Sequence, residues 1–410
     1  MEKKKYKILV LPSDRTGVSK FRSVDPHLHL QKMYPEEFWV DIDYNPKLED
    51  ENFLKSYDLI QYHRSMGPDF ARSAKAVELC KKLGIPTMMD LDDYWMPTPD
   101  HPAFAIVQQN KLDHMIKDSL KIAQNVSTTT KVFAKEIQSL NKNTFILPNT
   151  VNPREKQFQP KKTKSDLIRI GWLGGSSHLK DLEILNGVSQ RLHNTHRDKF
   201  QFVLCGYDLR GSVTVINPQT KQQQTRPIEP HESVWYLYEK LFTDNFTILP
   251  ENYKKFLHTF EKECFEGEEH LPYKRVWTKP ITTYASNYNN FDISLAPLKE
   301  HMFNKVKSQL KVIEAGFHKK ALIAQNYGPY QIDCVSAIEY GGKFNSKGNS
   351  LLVDTSKNHK NWYKYIKKLL DNPSLIEDLG ERLYEDVQQY HIDAVTEKRA
   401  EIYRELIRKS

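Results

Sequence analysis

Cysteine is scarce in this chain of 410 residues, and Cys80, Cys205, Cys264 and Cys334 stand far apart. They show neither the paired spacing of zinc ligands nor the density of a disulfide framework, so both classes are excluded and a reducing, cytoplasmic setting is expected. Long apolar runs are lacking as well. None approaches the ~20 residues that span a bilayer, and Met1-Glu2-Lys3-Lys4-Lys5 leads straight into a strand rather than into a signal-peptide core. There is no short internal repeat and no low-complexity tract. The lysines are dispersed and no aromatic platform accompanies them, so nucleic acid is not an expected partner. No Ser–His–Asp or Cys–His arrangement stands out.

What is present is a folded protein of ordinary composition, 39% hydrophobic and 11% aromatic. Its length exceeds one compact core, so two domains are expected. A mixed-charge surface accounts for most of the net charge of +8. The excess suits nucleotide diphosphates or an anionic membrane face.

The first part of the chain alternates strands and helices. Strands are expected at Tyr6–Leu11, Phe38–Ile42, Asp58–His63, Pro86–Asp90 and Thr144–Leu147. Helices are expected from about Ser19, over Asp69–Leu83 with Gly84 as C-cap, over Phe104–Ala123 and from Lys131. The polar run Glu155–Lys164 reads as a linker. The alternation then restarts with a strand at Leu167–Trp172, a helix over Leu179–Leu192 and a strand at Phe200–Leu204. Such alternation predicts mostly parallel sheets covered by helices on both faces. The stretch 207–279 is long for a connection and reads as an insertion with a helix near Val234–Phe242.

Four segments carry candidate chemistry. Gly174-Gly175-Ser176-Ser177-His178 lies between a strand and a helix, where glycines admit close backbone approach and a helix N-terminus attracts phosphate; a tight turn with a capping serine is the plainer explanation. Asn304–Gly316 follows the apolar strand Phe291–Leu298, with Val306, Leu310, Ile313 and Phe317 on one helical face. It carries Lys305, Lys307, Lys311 and one acid, Glu314, a pattern suited to a diphosphate and a ribose outside the carboxyl ends of parallel strands. Gly17-Val18-Ser19-Lys20-Phe21-Arg22 follows the first strand, and Ser19 there is equally a helix cap. Met88-Met89-Asp90-Leu91-Asp92-Asp93 ends an apolar strand in acids, with His63-Arg64 on the same rim. Its D-x-D could ligate a divalent ion. It is also similar to the nucleophile motif of haloacid-dehalogenase phosphatases, although that motif sits on a first strand and continues with Thr or Val.

Lys307-Ser308-x-Leu310-Lys311-x-Ile313-Glu314-Ala315 resembles the donor-binding helix of GT-B glycosyltransferases, especially the retaining family 4. Glu314 matches the second acid of the family's E-x7-E, and Val306 replaces the first. Pro148-Asn149-Thr150-Val151-Asn152 is similar to the family's interdomain turn. The resemblance implies an α/β GT-B fold of two doubly wound Rossmann-like domains facing a cleft. These would be an acceptor-side domain over 1–160, a donor-binding domain over 161–385 with its insertion at 207–279, and a terminal helix over 386–410 crossing back to the first domain. It implies a hexosyltransferase-class glycosyltransferase in polysaccharide or glycoconjugate synthesis. Such an enzyme takes a UDP- or GDP-sugar as substrate and a glycan or lipid-linked acceptor, with retention and without metal or other cofactor. The donor would meet Gly174, Gly175, His178, Lys180, Lys307, Lys311 and Glu314. Asp92 and His63 would be catalytic, with Gly17, Arg22, Asp90 and Asp93 on the acceptor side. The expected location is cytoplasmic, with peripheral contact at the inner membrane face. The rival readings are a metal-dependent transferase or phosphatase using Asp90 and Asp92, and a GT-B-shaped binding protein made inactive by Val306.

Overall fold

The structure is a computed structural model that describes residues 5–67, 69–216, 219, 223–243, 273–338, 342–354 and 359–410. Residues 244–272, the middle of the expected insertion with Tyr253 and Cys264, lie outside the described residues, as do residues 1–4. The chain forms two compact units. The first comprises Met1–Asn152, His301–Ile313 and Val387–Ser410; the second comprises Pro153–Glu300 and Glu314–Asp386.

The sheet of the first unit contains β1 (Tyr6–Leu11), β2 (Phe38–Ile42), β3 (Leu59–His63), β4 (Thr87–Leu91), β5 (Asn125–Thr128) and β6 (Thr144–Ile146). Their order is β2-β1-β3-β4-β5-β6, with every pairing parallel. β3 and β4 are buried along their whole length, as apolar strands covered on both faces must be. One face packs Leu9, Ile60, Met89 and Val126 against Val77 and Cys80 of the helix Phe70–Lys82. That helix starts where the Asp69 side chain accepts from the Ala71 and Arg72 amides, and Gly84 follows it at φ +72°.

The opposite face packs Ile8, Val10, Leu30 and Phe38 against Val395, Tyr403 and Leu406 of the helix Ile392–Lys409. This helix lies along the helix Asp25–Met33. Polar contacts support the pairing: His27 Nε2 meets the Tyr403 hydroxyl at 2.6 Å and His29 Nε2 meets Asp393 Oδ1 at 2.7 Å, while Arg404 grips Glu37, beyond the end of the helix Asp25–Met33, through two bonds of 2.7 Å.

The second unit begins its sheet with β7 (Ile168–Leu173) and β8 (Phe200–Tyr207), followed by a two-stranded antiparallel hairpin, β9 (Ser212–Ile216) and β10 (Gln223–Pro227). β11 (Tyr273–Trp277), β12 (Ile293–Ala296), β13 (Ala321–Gln325) and β14 (Leu351–Val353) complete a parallel sheet ordered β11-β8-β7-β12-β13-β14. The segment read as an insertion therefore ends in a strand of the sheet, and contains the helix Val234–Phe242. The expected single helix over Leu179–Leu192 is interrupted: a four-residue helix, Leu179–Leu182, and a short 3₁₀ turn precede Val188–His196, with Gly187 at φ +93° between them.

In both units the strand order reverses beside the first strand, at β1/β3 and at β7/β12. Loops leaving the carboxyl ends there diverge and open a crevice, the usual ligand position in sheets of this kind. No helix among the described residues is long and apolar enough to cross a membrane.

Candidate functional site

In the first unit the strand register gathers the acids. β3 and β4 pair His63 with Asp90, and β4 and β5 pair Asp90 with Ser127. Arg22 reaches this row from a π-helical turn, Lys20–Val24, a distortion that commonly re-aims side chains at functional sites. Its Nε and Nη2 donate to the two Asp90 oxygens at 2.9 and 2.6 Å, and Ser127 Oγ donates to Asp90 at 2.6 Å. Arg22 Nη1 also donates to the Leu147 carbonyl and to Asn149 Oδ1, while Asn149 Nδ2 donates to Ser308 Oγ at 3.0 Å. Arg22 and Asp90 are each 3% exposed in their side chains. This pair is a buried brace that ties β1's loop, β4 and the chain at Leu147–Asn149 together.

Asp92 and Asp93 lie one step further out. His63 Nε2 sits 2.9 Å from Asp92 Oδ1, and Arg64 Nη2 donates to the same oxygen at 3.2 Å and to Asp93 Oδ2 at 3.5 Å. Burial alone would raise the Asp92 carboxyl; the His63 hydrogen bond and charge, with Arg64 and Arg22, reverse this and hold it well below the usual carboxylate range. Asp93 moves the other way: partial desolvation and then the Asp92 charge push it up to about 6, against Arg64 and Lys307. Arg64 holds φ +61°, a left-handed conformation unusual for a residue with a side chain. Backbone strain of this kind concentrates at functional rims.

The other His63 nitrogen, Nδ1, lies 2.8 Å from Ser13 Oγ in the loop after β1. A Ser13–His63–Asp92 chain thus exists, although no such arrangement stood out in the sequence. Its outer members lie 79 positions apart, and only the sheet brings the three together. Ser13 and Ser127 are the residues the sequence reading missed here; their places just past or at strand ends were the available signal. Gly17 opens the short helical turn after this loop, which Asp14 braces by accepting from the Thr16 amide at 2.7 Å.

The segment from His301 to Ile313 belongs to the first unit. The helix expected from Val306 starts at Leu310 instead, and Val306 is buried in the β3–β4 core. Lys307 lies over the Phe303 ring at 5.1 Å and contributes to the field at Asp93. Lys311 and Glu314 share the helix Leu310–Phe317, one turn apart.

In the second unit, Gly174 and Gly175 follow β7. A Cβ at Gly174 would meet the Trp172 ring at 2.4 Å, whereas one at Gly175 would meet nothing within 4 Å among the described residues. The loop is held from the helix Val234–Phe242: the Tyr238 hydroxyl donates to the Gly175 carbonyl at 3.2 Å and accepts from the His178 amide at 2.9 Å. His178 Nδ1 meets Asp181 Oδ2 at 2.8 Å, and Asp181 Oδ1 accepts from the Lys299 amide after β12. Loops at β7 and β12, the two strands of the switch point, are therefore bonded to each other. Tyr238 lies sixty residues from the loop it holds, and no local signal marks it. Lys180 pairs with Glu183 at 3.0 Å on the exposed face.

Glu314 is 2% exposed. Its Oε2 accepts from the Tyr288 hydroxyl at 3.0 Å and its Oε1 from that of Tyr284. Both tyrosines are engaged with this acid.

No family model matches the sequence, and no curated protein matches it. Solved structures do match over essentially the whole chain. Sucrose-phosphate synthase from Thermosynechococcus elongatus superposes with a TM-score of 0.58 at 14% identity, covering 99% of this chain and 100% of that one. Anabaena HepE in complex with UDP gives 0.57 at 12% identity, with 98% and 100% covered. The fold is GT-B. A glycosyltransferase from Rickettsia africae gives 0.58 at 14% identity and 100% coverage of both chains. The GT-B likeness spans both units.

Proposed function

We propose that this chain is a glycosyltransferase that moves a sugar from a nucleotide-sugar donor to a glycan or lipid-linked acceptor. The observation that carries the reading is the match, over nearly the full length of both chains, to a GT-B structure holding UDP. The chain's own residues supply what the chemistry needs. Leaving-group charge is the main obstacle, and preorganised donors can stabilise it. The amides around Gly174, Gly175 and His178, with Lys180, Lys307 and Lys311, would serve the diphosphate. Glu314 would accept from the ribose hydroxyls, which would join or replace the Tyr284 hydroxyl as its donor. On the acceptor side Asp92 and His63 form the rim, with Gly17, Arg22, Asp90 and Asp93 around them. Retention is the expected stereochemical course.

A D-x-D metal site is poorly supported by the geometry, because Arg22 takes both Asp90 oxygens. Activity is therefore expected to survive EDTA. Loss of turnover on chelation, restored by Mn²⁺, would contradict that.

Calorimetry with UDP and GDP tests the donor assignment. Glu314→Ala is expected to weaken binding by about 1–3 kcal/mol, the scale of a charged hydrogen bond left unmade, and Lys311→Ala to weaken it by less. Unchanged affinity in both folded variants would remove this helix from the donor site.

A further inference from the structure

The helix Leu310–Phe317 ends in a backbone motif that fixes the two residues before β13. Lys319 takes φ +55°, its amide donates to the Gly316 carbonyl at 2.8 Å, and the Lys320 amide donates to the Ala315 carbonyl at 2.9 Å. In this Schellman type of helix end, the residue in the place of Lys320 frequently makes an apolar contact back onto the last turn. Here that residue is a lysine. Gly380 lets the helix Ser374–Asp386 close over the turn, since a Cβ there would stand 2.3 Å from the Lys319 carbonyl oxygen. Lys320 is left 8% exposed.

Its neighbours are committed to one another. Asp292 precedes β12 as Lys320 precedes β13, one residue before the register that pairs Ile293 with Ala321. Asp292 Oδ1 accepts from Arg169 Nη2 at 2.7 Å, and Oδ2 accepts from the Arg169 amide and Nε at 2.9 and 3.1 Å. Glu381 pairs with Lys319 at 2.8 Å and Glu377 with Lys162 at 2.7 Å. His318 lies between the Glu314 and Gln157 carbonyls, and burial holds its ring neutral, lowered to about 4. Among the described residues the Lys320 amine has no hydrogen bond and no ion pair. A buried ammonium without a partner is a cost that nothing in the fold recovers. Burial accordingly lowers this amine to about 8, a fall that Asp292 opposes and Arg169 assists.

Lys320 lines a cavity of about 500 Å³. It opens at the amino ends of β12 and β13, away from the carboxyl-end loops that carry Gly174 and Lys299. That volume suits a small metabolite. We propose that this cavity binds a phosphate monoester, with Lys320 receiving the phosphate. Two lining amines lack an acid among the described residues, Lys320 in the floor and Lys161 at the rim. Together they match the two charges of the ester, and a lysine ammonium is a compact point charge suited to phosphate. The Lys161 backbone is anchored, its amide donating to Asn289 Oδ1 at 2.8 Å. One lining acid, Asp378, lacks a base, and it can accept from a hydroxyl on the organic part of the ester. The site does not depend on which reaction the chain performs.

An anion beside Lys320 favours its charged form. Affinity is therefore expected to be full below about 8, where the amine is already charged, and to fall as pH rises beyond it. The test follows the amine itself. The full chain is labelled with a trace of acetic anhydride across about pH 6–11, a range that brackets lowered and ordinary lysines, with and without millimolar inorganic phosphate. Acetylation at Lys320 is read by peptide mass spectrometry. Without phosphate its midpoint is expected near 8. With phosphate the midpoint should move toward the ordinary ~10.4, and labelling at pH 8 should slow about tenfold or more. Lys161→Ala should reduce that protection about threefold, while Lys320→Met should melt no lower than wild type, since it removes a buried charge that no acid neutralises. The site is overturned if phosphate leaves the Lys320 rate at pH 8 within about twofold, or if Lys320 titrates as an ordinary lysine without phosphate. A Lys320→Met melting point lower by more than about 5 °C would make the amine a structural partner of Asp292 and also overturn it. Protection undiminished in Lys161→Ala rules out the phosphate monoester as occupant.

Discussion

Asp90→Ala is expected to destabilise the first unit by about 3–5 kcal/mol, because it strands the Arg22 cation in a site from which water is excluded. Both side chains are 3% exposed, and the pair is bidentate. Nothing carrying charge opposite to Arg22 remains in the brace itself, since its other acceptors, Leu147 O and Asn149 Oδ1, are neutral. Removing both partners should be far milder: an Arg22→Met, Asp90→Leu double variant is expected to recover most of the loss, as apolar replacements of buried pairs do. Hydrogen exchange of the β1, β3 and β4 amides reads the stability of this unit without assuming that the two units unfold together. A loss below about 1 kcal/mol in Asp90→Ala would mean that the pair is solvated, and the brace would have to be abandoned.

Gly206→Ala is expected to be comparably damaging in the second unit. Gly206 has φ +103°, outside the range that a residue with a Cβ adopts without strain. The added Cβ would also lie 2.3 Å from the Gly174 carbonyl oxygen. Strain and overpacking together give about 2–5 kcal/mol. Because Gly174 N donates to Cys205 O at 3.3 Å, relief of the clash must push the Gly174–His178 loop away from β8. UDP binding should therefore fall with stability. A variant with wild-type melting and wild-type UDP affinity would show that the loop is not held from β8.

Much of this arrangement was legible in the sequence. The apolar runs of β1 to β4 and the acids at the end of β4 have clear local signatures, whereas β5, Asn125–Thr128 with one apolar residue, was not expected as a strand, and the restart of the alternation at β7 separates the two sheets. What failed has identifiable causes. β11, with Tyr273-Lys274-Arg275-Val276-Trp277, is an edge strand with intermediate exposure at three of its five positions, so it lacks the continuous apolar run that reveals an inner strand. Val306 fits the spacing of Leu310 and Ile313, yet the helix does not include it; periodicity cannot tell a helix face from a buried turn that precedes it. Leu179–Leu192 looked continuous because a single glycine at 187 does not forbid a helix. The Ser13–His63–Asp92 chain depends on parallel neighbours fifty and twenty-nine residues apart, and only strand order reveals such contacts.

The return of Ile392–Lys409 to the first sheet sets an order of events during synthesis. The ribosome releases β1 to β6 first, but the face formed by Ile8, Val10, Leu30 and Phe38 stays uncovered until Val395, Tyr403 and Leu406 emerge. At about 5–20 residues per second that interval lasts roughly 10–50 s. The second unit, which ends at Asp386, has all its residues available before the first does. The nascent chain therefore carries a greasy, half-finished sheet while the later-made half can already fold. That sheet is where a chaperone would have to hold it.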